Sequence, residues 1–353
     1  MNFVNYKNQR VLVIGHTGFK GSWLVNWLHI LNAKVYGISK KNINKSSNYD
    51  FSEISKKTVK EFDFDVRNFK KLNKTINLIK PKYIFFLAAQ SLVGNSYQDP
   101  RNTWNVNLIG ALNLLEVMRK INFKCSMILI TSDKCYENNE KKNGYKETDL
   151  LGGSDPYSAS KASVEILYSS YFRSFLKLKK NINSATTRAG NVIGGGDRSK
   201  NRLIPDCIKA WSQNKTAHIR NPNSTRPWQH VLEPLSGYLQ LGKYLNQGKL
   251  NGQSFNFGPK IKNSKSVKIV ISEVEKYLSN FKYRLINKNL FNEHVLLKLN
   301  CEKSRTKLKW SPRLTFKDTI KFTIDWYVNY YKKNKNKNFS IEQIKKYINY
   351  EKK

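Results

Sequence analysis

Residues 11–24 read VLVIGHTGFKGSWL. Val11–Ile14 is a short apolar run closed by Gly15, the pattern of a strand buried on both faces. From Ser22 to Leu31 apolar residues recur at helical spacing. Between them stand Gly15, Gly18 and Gly21. Glycine at such points permits a tight turn and lets backbone approach a pyrophosphate. The helix that follows presents unpaired N–H groups and the positive end of its dipole. Strand, glycine turn and helix in that order predict a dinucleotide site. The spacing is GxxGxxG, not GxGxxG. Ser39, Lys40 and Lys41 stand where an acid would hold the ribose diol, so NAD and NADP both stay open on these residues.

Outward from this stretch, strand and helix patterns alternate. Val35–Ile38, Tyr83–Ala88 and Met127–Ile130 read as strands, and Leu108–Met118 and Ser158–Leu176 as helices. Alternation of this kind predicts an α/β fold, a doubly wound parallel sheet with helices on both faces. Residues 1–190 read as the nucleotide-binding domain. Beyond them the pattern loosens around Gly194–Gly196 and a series of prolines. Residues 191–353 read mainly as a smaller substrate-binding lobe, some of whose segments can cross back to the sheet. Phe339–Tyr350 regains a helical period.

Two further constellations carry chemistry. In Tyr157-Ser158-Ala159-Ser160-Lys161 the tyrosine and lysine share a helix face. A lysine one turn away is expected to lower the tyrosine pKa, giving a phenolate that takes a proton from an alcohol. Thr131-Ser132-Asp133-Lys134 ends a strand, where ligand sites of open parallel sheets gather. Asp65, in Asp65-Val66-Arg67-Asn68, reads equally as an adenine contact and as a turn aspartate.

Taken together these stretches resemble the extended short-chain dehydrogenase/reductases, and within them the CDP-glucose 4,6-dehydratases. The likeness rests on GHTGFKGSWL (15–24), ITSDKCYEN (130–138), DPYSASK (155–161), RAGNVIGGGD (188–197) and RPWQHV (226–231). It implies a Rossmann-type fold with bound NAD and a nucleotide-sugar substrate, CDP-glucose. Gly15, His16, Thr17, Gly18, Phe19 and Gly21 would surround the pyrophosphate, with Asp65 and Val66 at the adenine. Ala88, Ala89 and Gln90 would line the dinucleotide, and Asn107 would lie under the site. Tyr157 and Lys161 would serve the redox step, Thr131 the keto oxygen, and Asp133 with Lys134 the elimination. Asn191, Arg202 and Arg226 would meet the diphosphate. The thymidine-sugar dehydratases carry glutamate where Lys134 stands.

Composition sets the remaining bounds. Net charge is +38, with 63 Lys and Arg against 25 Asp and Glu. The basic residues are scattered along the whole chain, which favours a compositional bias over a nucleic-acid face. Cys125, Cys135, Cys207 and Cys301 form no CxxC pair, and the five histidines no HExxH, so no metal is expected. No apolar run is long enough to span a membrane, and Met1–Arg10 is polar, which predicts a cytoplasmic enzyme. Apolar arcs on Thr103–Arg119 and Tyr157–Leu176 predict a homodimer or larger homo-oligomer. Three rivals remain. A 4-epimerase needs no acid/base pair for a leaving hydroxyl. In an inverting UDP-N-acetylglucosamine dehydratase the tyrosine follows the Asp-Lys pair closely, unlike Tyr157 here. A non-catalytic nucleic-acid-binding protein need not keep these groups together.

Overall fold

The computed structural model describes residues 3–40, 47–259, 264–286 and 296–350. Lys41, named above, lies outside the described residues. Seven parallel strands form the central sheet: β1 (Arg10–Ile14), β2 (Lys34–Ser39), β3 (Lys60–Asp63), β4 (Tyr83–Phe86), β5 (Cys125–Ile130), β6 (Ile182–Ala189) and β7 (Gln253–Phe257). Their spatial order is β7-β6-β5-β4-β1-β2-β3. The order reverses beside β1, and it is at such a switch point that open α/β sheets hold their ligands.

Both faces are covered, so β1 is apolar throughout. Val11 and Val13 face a core shared with α1 (Phe19–Ile30) and α5 (Leu232–Asn246). Leu12 and Ile14 face the other core, shared with α2 (Phe69–Ile79), α3 (Gly110–Lys120) and α4 (Pro156–Ser174). The later part of the chain does cross back. It supplies β7, paired with β6 from Gln253↔Ala185 to Phe257↔Ala189, and α5 beneath β5 and β6. The rest of it builds short ladders, such as Ala217–Arg220 with Tyr283–Ile286, and the helices α6 (Phe316–Tyr331) and α7 (Phe339–Ile348). The tail helix docks on α1, with Trp27 and Tyr347 ring centroids 5.6 Å apart. Tyr347 donates to Glu233 Oε2 on α5 at 2.6 Å. Among the described residues no helix is long and apolar enough to cross a membrane.

Candidate active site

The glycine turn packs as its sequence requires. Gly15 has φ +94°, and a β-carbon there would meet the Ala88 nitrogen at 2.7 Å. A β-carbon on Gly21 would sit 2.1 Å from the Gly15 carbonyl oxygen, so only glycine lets α1 close on the turn. Gly18 ends the turn as the residue before α1, with Phe19 opening the helix. The Thr17 N–H donates to Ser39 Oγ at 3.3 Å, so the serine at the end of β2 braces the loop. The His16 side chain, next to the first glycine, is buried. The imidazole is buried against Gly37 and stands 5.8 Å edge-on to Tyr49. Its Nε2 lies 3.2 Å from Glu61.

Asp65 is paired with Arg67. Arg67 donates from Nε at 2.9 Å and from Nη2 at 2.7 Å, taking up both carboxylate oxygens. Val66 beside it is buried, and its carbonyl accepts from Asn113 at 3.0 Å. Asn107 is a tie under the site. It accepts from the Gln90 N–H at 2.8 Å and donates to the Gln90 carbonyl at 3.1 Å and to Ser160 Oγ at 2.8 Å. The loop Ala88–Ala89–Gln90 after β4 is thereby fixed to α4.

Strand β5 leads into the turn that carries Asp133 and Lys134. The Thr131 N–H still donates to the Thr187 carbonyl at 2.9 Å, in register with the sheet. Its hydroxyl points back and donates to Glu165 Oε1 at 2.5 Å. The assignment of Thr131 to a substrate oxygen is therefore corrected: its proton belongs to a buried carboxylate. Ser132 is the hydroxyl near Tyr157, whose pKa it pulls down. Ser132 also donates to Asp133 Oδ1 at 3.0 Å and accepts from the Lys134 N–H at 3.3 Å, capping the 3₁₀ turn Asp133–Cys135.

Asp133 is 5 % exposed. Burial raises its carboxyl pKa above the usual range, against the opposing pull of Lys134 and of the Ser132 hydrogen bond. Gly190 leaves room for that side chain: a β-carbon there would lie 3.0 Å from Asp133 Oδ2. Lys134 is half-buried and lines a cleft with Asp155, Ser158, Asn191 and Arg226. Arg202 lies 3.2 Å from Asp197 and its charge is felt at both Lys20 and Tyr157.

Helix α4 starts firmly. Asp155 accepts from the Ser158 N–H at 3.0 Å and Pro156 takes the first position. Tyr157, Lys161 and Glu165 then fall at i, i+4 and i+8 on one face. The Tyr157 pKa is pushed up to about 12, chiefly by burial, with Ser132 opposing. This corrects the expected lowering by Lys161, whose Nζ lies 5.9 Å from the ring centroid. Lys161 itself is pushed down to about 8, first by burial and then by Lys20. Lys20, half-buried in the first turn of α1, is also pushed to about 8, by burial and then by Arg202. Sequence reasoning missed Lys20, although a cation in the first turn opposes the helix dipole and so called for a reason.

NAD fits these residues. The glycine cradle is built for close backbone approach. The Lys161 ammonium, 5 % exposed, makes no hydrogen bond or ion pair with the described residues, and a buried donor of that kind suits ribose hydroxyls. The buried charge has a stability consequence. The folded pKa is lowered, so the cost is complete below about pH 8. It is relieved as the pH rises from 8 toward 10.5, because the unfolded chain then binds more protons. Lys161→Met should therefore stabilise the ligand-free chain by about 3 kcal/mol at pH 7, with a gain that shrinks toward pH 10. Thermal melts across that range check it; a destabilised variant at pH 7 contradicts it.

Comparison with known proteins agrees with the geometry. A sequence profile described as GDP-mannose 4,6 dehydratase matches residues 12–323. A CDP-glucose 4,6-dehydratase of Salmonella typhimurium is 38 % identical over 328 residues, 91 % of each chain. A CDP-paratose 2-epimerase of Salmonella typhi is 25 % identical, over 90 % of this chain and 98 % of its own. Among solved structures, an epimerase from Methanothermobacter thermautotrophicus superposes with TM-score 0.80 at 21 % identity, over 98 % of this chain and 96 % of the other. A dTDP-glucose 4,6-dehydratase from Bacillus anthracis, in complex with NAD, gives 0.75 at 22 %, over 91 % and 96 %. Strand order, glycine turn, strand-end Asp-Lys pair and profile thus converge, and the chain belongs to the GDP-mannose 4,6 dehydratase family of nucleotide-sugar 4,6-dehydratases.

Proposed function

We propose that the chain converts CDP-glucose to CDP-4-keto-6-deoxyglucose and water, as an NAD-dependent hydro-lyase. The observation that carries the reading is Asp133, a buried carboxyl with a raised pKa, set next to Lys134 at the end of β5. A 4-epimerase has no use for that pair. The Salmonella relative supports the cytidine nucleotide.

NAD, held by the glycine turn and Lys161, supplies the acceptor for the C4 hydrogen and its return to C6. With NAD bound, the Tyr157 pKa would be drawn back down by the positive nicotinamide ring, so that the phenolate takes the C4 hydroxyl proton, and Ser132 would steady the keto oxygen that forms. The ketone acidifies C5, and Lys134 removes that proton. Asp133, kept protonated by burial, gives its proton to the C6 hydroxyl, which departs as water. Asn191, Arg202 and Arg226 hold the diphosphate.

Mass spectrometry after incubation with CDP-, dTDP-, UDP- and GDP-glucose tests this. CDP-glucose should lose one water with no net consumption of NAD. Water loss from another nucleotide alone overturns the base assignment, and no loss from any of them overturns the dehydratase reading.

The enzyme is proposed to act as a homodimer or larger homo-oligomer. Ile109, just before α3, and Ile166 on α4 are exposed apolar side chains on the helices that carry the site. Isologous pairing of such helices is the common solution. A monomer mass by light scattering at micromolar concentration contradicts it.

A further inference from the structure

Parallel strands put the catalytic turn at their C-terminal ends. At the opposite end of the sheet lies a cavity of about 630 Å³, outside the site already described. Five cations line it: Arg10, Lys34, Lys80, Lys82 and Lys124. Backbone register brings them together. Arg10 and Lys34 are partners at the start of β1 and β2. The Lys82 N–H donates to the Arg10 carbonyl at 2.9 Å, and the Ser126 N–H donates to the Lys82 carbonyl at 2.9 Å, next to Lys124. Neighbouring strands are about 4.8 Å apart, so these like charges stand side by side across the sheet.

No Asp or Glu lines the cavity, and none of the five cations makes an ion pair among the described residues. Elsewhere basic groups find acids, as Arg67 does in Asp65 and Arg119 in Glu116. The excess of lysine makes scattered positive charge common. It does not account for three cations at adjoining register points, Arg10, Lys34 and Lys82, with Lys80 and Lys124 beside them around one concavity. Like charges opposite one another cost stability, and a polyanion relieves that cost. Tyr36 and Phe123, both half-buried, add aromatic surface to the same wall. Such rings take a base by stacking. The volume falls in the range of small-molecule pockets, though the concavity is open to solvent on one side.

We propose that this cavity is a second nucleotide site, one that binds a nucleoside polyphosphate with its phosphates on the cations and its base on Tyr36 and Phe123. The assignment stands independently of the dehydratase reading. Titration calorimetry of the full chain, saturated with NAD and CDP to fill the catalytic site, would use ATP as probe. ATP should bind, and Lys82→Glu with Lys124→Glu should weaken it at least about tenfold, since two charge-assisted contacts are reversed in sign. Dehydratase activity should stay unchanged, which also reports that the variant is folded. Phe123→Ser should weaken ATP severalfold and leave inorganic triphosphate unaffected. ATP binding unmoved by the charge reversal overturns the proposal, as does its absence. Inorganic triphosphate binding as tightly as ATP overturns the nucleoside part. A single-stranded oligonucleotide binding more tightly than ATP, with a steep salt dependence, assigns the face to nucleic acid instead.

Discussion

Replacing Lys134 by alanine should leave the first half of the reaction running and stop the second. Lys134 lines the cleft with Asn191 and Arg226, one residue beyond buried Asp133. In the proposed reaction it takes the C5 proton, whereas Tyr157 takes that of the C4 hydroxyl. Loss of a general base typically costs 10²–10⁴-fold in rate. Product formation should fall by about that factor. The 4-keto hexose formed before elimination should persist, and a borodeuteride quench should leave deuterium at C4 of the recovered nucleotide sugar. Asp133→Asn should behave alike, because an amide fills the same buried space but cannot act as an acid. Tyr157→Phe should give neither product nor label. Lys134→Ala turning over at near wild-type rate, or failing to label like Tyr157→Phe, would remove Lys134 from the elimination. In wild-type enzyme run in heavy water, the product should carry deuterium at C5.

Arg188→Met should unfold the protein more readily than any single change at the cleft. Arg188 and Glu165 are 3 % and 2 % exposed, with Nη2 and Oε2 at 2.8 Å. Burial alone raises a carboxyl; Arg188 and the hydroxyls of Thr131 and Thr186 reverse that and hold Glu165 below its usual range. Arg188 also donates to the Tyr136 hydroxyl at 2.7 Å and to the Glu147 carbonyl at 3.1 Å. Removing one partner of such a pair typically costs 3–5 kcal/mol, because the other charge is left buried alone. Urea melts should show a loss of about that size. Adding Glu165→Gln should restore much of it, since the stranded charge is gone. A single variant within 1 kcal/mol of wild type, by the same melts, would show that water or a rearranged partner replaces the guanidinium. Because Glu165 holds Thr131 and so the start of the catalytic turn, the double variant should regain stability ahead of activity.

Much of this was legible in the chain. β1, β4 and β5 are apolar runs, because both of their faces are covered, and the glycine turn announced its own geometry. β6 was not legible. INSATTRA reads as polar, yet every residue of it is buried. Three of its polar side chains find buried partners: Ser184 meets the Tyr168 hydroxyl at 3.0 Å, and Thr186 and Arg188 meet Glu165 at 2.8 Å. Hydropathy cannot see a partner contributed from another helix. The confusion of Thr131 with Ser132 has a related cause. Adjacent residues on a strand face opposite sides, so which of two neighbouring hydroxyls meets the substrate is decided by pleat, not by composition. Tyr157 and Lys161 were found by spacing. Glu165, one step further along the same stripe, was passed over because its partner sits on the unread β6.

The packing of α7 against α1 governs how the protein is finished during synthesis. The glycine turn is translated long before Tyr347, which covers the flank of its helix. A nascent chain on the ribosome therefore carries a nearly complete strand order with Trp27 still uncovered, and Glu233 still lacks its hydroxyl donor. The flank of α1 is sealed only once Tyr347 has left the exit tunnel, and until then the nascent chain shows the kind of apolar surface that chaperones cover.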